Sequence, residues 1–161
     1  FYKMCKKHGI KPIIGVEAYM APGARDDKTP TPAGVKKYYH LILLAKNLTG
    51  YKNLMRLVTR ANLEGYYYKP RMDKEILREH HEGIIALSAC MGGELSQTIL
   101  KEGIEKAESL VAEYKDIFGA ENYFIEIQSH PGIDRDKELR DKLVEHAKKT
   151  NTTIVATQDS H

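Results

Sequence analysis

The chain has 161 residues, 42% of them apolar and 29% charged, with a net charge of +3. That is enough for one hydrophobic core and too apolar for a disordered segment. Nothing approaches the roughly 18 consecutive apolar residues a membrane span requires, and the opening Phe1-Tyr2-Lys3-Met4-Cys5 has no signal-peptide character. Two cysteines, Cys5 and Cys90, make no disulfide framework and fit a reducing, cytoplasmic setting. So small a positive charge does not by itself imply nucleic acid.

Phe1 to His8 has the pattern of a helix end, stopped by Gly9, and a strand follows from Ile13 to Tyr19 with Glu17 toward its end. Residues 21–37, with Pro22, Gly23, Pro30, Pro32 and Gly34, form a loop. Tyr38 to Ala45 is a nearly continuous apolar run, as expected of a strand buried on both faces. Thr49 is placed to cap a helix bearing the stripe Leu54, Leu57, Val58 and Ala61. Gly65 to Arg71 reads as a turn, and Asp73 caps a short helix to about His80. A strand from Gly83 to Cys90 stops at Gly92-Gly93, and Ile104 to Phe118 is an amphipathic helix closed by Gly119. The strand 123–128, the helix 134–150 and the strand 152–156 complete the order. Strands alternating with helices define an α/β chain with a parallel sheet, open or closed into a barrel.

The chemistry-bearing residues gather at strand ends. Asp159 and His161 follow the last strand, and two-residue spacing presents a carboxylate and an imidazole to one side, a pair suited to Zn or Mn. Glu17, Cys90 and His130 also lie at or near strand ends, and His40 opens a strand. Each has a blander reading: a solvated carboxylate, a small buried thiol, a core imidazole. Strand ends of a parallel sheet converge on one rim, so their joint occurrence there favours a metal site.

The segments Gly9 to Tyr19, Tyr39 to Asn47, Gly50 to Leu54, Tyr67 to Arg71 and Ala86 to Cys90 resemble the polymerase-and-histidinol-phosphatase (PHP) domain of bacterial replicative DNA polymerases. The resemblance runs through essentially the whole chain. It implies a distorted (β/α)7 TIM-like barrel with clustered divalent ions, Zn or Mn with Mg as a further option, in a cup at one end. Glu17 matches the bridging glutamate, and Glu17 and Asp159 are the residues it places in the reaction itself. His40, Cys90, Asp159 and His161 match further ligands, and His130 resembles a ligand of stand-alone phosphoesterases. His8, His80, His81 and His146 lie on helices and read as solvated.

The family's opening His-x-His and Asp-His-Gly do not occur in residues 1–161, so five of its nine ligands are present. The chain is therefore read as a single partial PHP domain, lacking its first strands and the downstream polymerase modules. The implied activity is metal-dependent phosphoester hydrolysis, a 3′-5′ proofreading exonuclease within a DNA-directed DNA polymerase, with this piece inactive alone. Arg25, Lys69 and Arg71 are candidates for phosphate contacts, and Tyr66 to Tyr68 for stacking on an unpaired base or for docking as a packed turn. Implied partners are DNA, the remaining polymerase modules and replisome subunits, with no membrane; exposed sheet edges favour self-association. The rival readings are a structural scaffold and a histidinol-phosphatase-like enzyme.

Overall fold

The computed structural model describes residues 1–32, 34–89, 91–129, 132–133 and 135–158. The elements run α1 (Tyr2–Lys7), β1 (Gly15–Met20), β2 (Tyr39–Ala45), α2 (Leu48–Leu63), β3 (Tyr66–Tyr67), β4 (Lys69–Met72) and α3 (Lys74–Glu79). They continue with β5 (Ile84–Leu87), α4 (Glu94–Lys101), α5 (Ile104–Phe118), β6 (Tyr123–Ile127), α6 (Asp136–Lys149) and β7 (Ile154–Ala156).

One seven-stranded sheet has the order β3-β4-β1-β2-β5-β6-β7. β4 is parallel to β1, and β5, β6 and β7 are parallel to one another. The sheet is nevertheless mixed, not parallel throughout: β2 runs antiparallel to both β1 and β5, and β3 and β4 form a hairpin where a turn was expected. The cause is the connection. A parallel neighbour needs a crossover, and residues 21–37 supply no helix to make one. Barrel closure is not among the pairings of the described residues; what is established is a mixed α/β fold.

The two faces differ. Ala18, Met20, Leu41, Leu43, Ile84, Ala86, Tyr123 and Ile125 are buried and join Leu54, Leu57, Val111, Leu139 and Leu143 of the helices in one core. Register places Glu17 beside Ile42, Tyr19 beside His40, and Leu87 beside both Ile42 and Phe124, on the opposite face. Tyr39–Ala45 alternates between buried and half-buried residues, so β2 is covered on one face only, contrary to the reading of burial on both.

Local chemistry sets the helix ends. Asn47, not Thr49, caps α2, its Oδ1 accepting from the Gly50 N–H at 2.9 Å. Gly50 is required because a Cβ there would lie 1.8 Å from the Gly83 carbonyl oxygen. Asp73 caps α3 through the Ile76 N–H at 3.1 Å, as its position implied. α4, unforeseen in the sequence, starts directly after Gly92-Gly93 and buries Leu95 and Ile99. No helix among the described residues is long and apolar enough to cross a membrane.

Candidate metal centre

β2 runs against its neighbours, so its first residues sit at the end where β1 and β5 finish. Tyr19 pairs with His40 and Glu17 with Ile42, which makes Glu17 and His40 diagonal neighbours on one face. Their side chains meet, His40 Nδ1 lying against Glu17 Oε1, with 27% and 26% of each exposed.

Three features hold the imidazole. The backbone N–H of His40 donates to the Gly92 carbonyl at 3.1 Å, joining the start of β2 to the segment that follows β5. Gly92 lies flat beneath the ring, where a Cβ would stand 3.0 Å from Nδ1. Tyr38 is parallel to the ring at 6.0 Å and Tyr19 meets it edge-on at 5.5 Å. Ala89, which ends the described run after β5, has a φ of 62°, a left-handed conformation unfavourable for alanine.

His40 Nδ1 is closed to solvent and has no hydrogen-bond partner among the described residues, although a carboxylate oxygen sits against it. Imidazole nitrogen with carboxylate oxygen is a donor set for Zn or Mn. Among the described residues no three His, Cys, Asp or Glu side chains group together. Cys90, His130, Asp159 and His161 lie outside the described residues. In the chain they follow the ends of β5, β6 and β7. A cavity of about 450 Å³ opens on this face, lined by Glu17, Ile42, Leu44, Glu126, Gln128 and Thr157. Glu126 and Thr157 line this cavity although no ligand motif in the sequence marks them.

The basic residues divide sharply. Arg71 is 3% exposed, and its guanidinium donates to the backbone carbonyls of Gly65 at 3.2 Å, Arg25 at 3.1 Å and Asp27 at 2.7 Å. Arg25 is clasped by Glu64 at 2.6 Å, Asp73 at 3.0 Å and Glu75 at 2.7 Å, which hold its pKa above the usual value. Arg60 and Arg25 together pull the Glu64 carboxyl down to about 2. Arg25 and Arg71 thus stitch the 21–37 loop to β4 and α3, and are not available to phosphate. Lys69 remains exposed, its Nζ 5.4 Å from the Tyr19 ring centre, and Tyr66 and Tyr68 are 56% and 60% exposed. Lys37 Nζ covers one face of Tyr68 at 3.4 Å.

His146 is a correction. It is 2% exposed, on the same face of α6 as Leu139, Leu143 and Ala147. Burial lowers its pKa, so it is neutral in the fold. Below the unfolded value of 6.5 the unfolded chain takes up the proton first. Stability should therefore be intact above that pH and fall as pH drops, by up to about 1.4 kcal/mol per pH unit. His146→Leu should flatten this acid limb in urea titrations; an unchanged limb would assign it to other groups.

The described elements make a mixed α/β fold with a Glu–His pair at one rim of its sheet. The PHP domain profile matches residues 1–130, and the chain belongs to the PHP domain family. It is 47% identical over its whole length to DNA polymerase III subunit alpha of Treponema pallidum and 49% identical to that of Thermus aquaticus. The protein of the same description from Deinococcus radiodurans is 44% identical. The chain covers 14%, 13% and 12% of these relatives respectively, so it corresponds to about one seventh of their length.

Proposed function

We propose that residues 1–161 are part of the PHP domain of a bacterial replicative DNA polymerase, a cytoplasmic protein. In our reading this domain hydrolyses phosphoesters at DNA 3′ ends, a proofreading reaction beside the DNA synthesis of the downstream modules. The observation that carries the metal site is the Glu17–His40 contact, in which a shielded imidazole nitrogen faces a carboxylate oxygen at the strand rim.

Glu17 and His40 would hold the metal, with Cys90, Asp159, His161 and His130 as the further candidates. Divalent ions bound there supply an activated water and neutralise the phosphoryl oxygens. The chain's own contribution is orientation. Tyr19, Tyr38 and Gly92 fix the His40 ring, so its coordinating nitrogen is preorganised. Of the three basic candidates Lys69 is the one open to a DNA phosphate, and Tyr66 is a hairpin tyrosine open to an unpaired base.

The test uses the full-length protein that carries this domain. Asp159→Ala and His161→Ala should each lower metal content and exonuclease rate together, while DNA synthesis on a primed template persists. A double substitution with parental metal content and nuclease rate removes these residues from the site. Parental protein that holds no metal after purification and dialysis into Zn or Mn would leave the scaffold reading in its place.

A further inference from the structure

Glu126 is the most deeply buried carboxylate among the described residues, at 3% exposure. Its Oε1 accepts from Gln128 Nε2 at 3.1 Å and from the hydroxyl of Thr157. Its backbone N–H donates to Ser88 Oγ at 2.9 Å. Its Oε2 is enclosed and has no hydrogen-bond partner among the described residues.

Burying a carboxylate is costly, and an apolar residue of similar size often packs more favourably. Stability therefore does not explain it, whereas location does. β6 lies between β5 and β7, and the contacts of Glu126 reach all three strands just past their ladders: Ser88 after β5, Gln128 after β6, Thr157 after β7. In the chain Ser88 precedes Cys90 by two residues, Gln128 precedes His130 by two, and Thr157 precedes Asp159 by two. One side chain and its own amide tie together the segments that lead to every candidate ligand beyond Glu17 and His40.

Resting on the metal-centre reading above, we propose that Glu126 is a positioning residue that sets the ends of β5, β6 and β7 in register for metal binding.

The experiment measures Zn and Mn affinity of the full-length protein by chelator competition, with polymerase activity and the thermal midpoint recorded alongside. Glu126→Ala and Thr157→Val should each weaken metal binding by about 10- to 100-fold, the usual effect of losing a group that orients ligands. Glu126→Gln should recover most of it, because an amide oxygen still accepts the Thr157 hydroxyl. Glu126→Ala and Thr157→Val proteins that bind metal at parental affinity, with or without a lowered midpoint, overturn the role. A Glu126→Gln protein as weak as Glu126→Ala also overturns it, since charge and not the tether would then matter. Parental protein without metal would instead remove the metal centre itself, and the positioning role with it.

Discussion

Glu17→Gln and His40→Ala should each reduce metal-dependent hydrolysis by the full-length protein by at least about 100-fold, and the double substitution should be no worse than either single one. Both groups are a quarter exposed, so their mutual attraction contributes at most about 1 kcal/mol to folding. Breaking the pair should leave the thermal midpoint within a few degrees of the parent. A structural pair and a ligand pair therefore diverge: the first moves stability in proportion to activity, the second moves metal content and activity with stability nearly constant. Non-additivity sharpens the distinction, because two ligands of one ion fail together. Additive losses in the double substitution, or an activity loss that tracks the midpoint, would assign Glu17 and His40 to structure. Metal content measured on the same preparations separates loss of the ion from loss of a reacting group.

Residue type and position at a strand end singled out Glu17 and His40 in the sequence, but the antiparallel register that sets them side by side was not legible there. Two other signals were present but outweighed. Residues 21–37 lack helical periodicity, which disfavours a parallel crossover from β1 to β2, yet the strand–helix alternation elsewhere suggested a uniformly parallel sheet. His146 falls on the stripe of Leu139, Leu143 and Ala147, but its residue type argued for solvent. α4 was concealed because Gly92-Gly93 reads as a stop and its apolar face is short, Leu95 and Ile99. The contacts of Glu126 and Arg71 join residues about 30 to 50 positions apart, and no local pattern encodes which carbonyl or hydroxyl a loop will deliver.

Arg71→Ala should destabilise the domain by about 3 kcal/mol, since it removes several charged hydrogen bonds and leaves buried carbonyls unpaired. Lys69 and Arg71 share one side of β4, but the loop that carries Arg25 and Asp27 folds over Arg71 alone. Its guanidinium also lies 4.9 Å from the Tyr67 ring centre, so the side chain fills space as well as pairing. It serves four carbonyls, those of Gly65, Lys37, Arg25 and Asp27, through Nε and both terminal nitrogens, and a planar fork reaches them together where an ammonium cannot. Arg71→Lys should therefore recover only a small part of the loss, although it preserves charge. Arg71 also anchors the loop whose Arg25 clasps Asp73, the cap of α3, so the damage should spread to that helix. Hydrogen exchange should report it as faster exchange at Ile76 and through residues 24–28 ahead of the rest of the sheet. By contrast, Lys69→Ala should leave the midpoint within about 0.5 kcal/mol of the parent, as an exposed site does, while weakening the KM for single-stranded DNA. If Arg71→Ala instead kept the parental midpoint and weakened DNA binding, the guanidinium would face substrate, and the loop would be held by Arg25 alone.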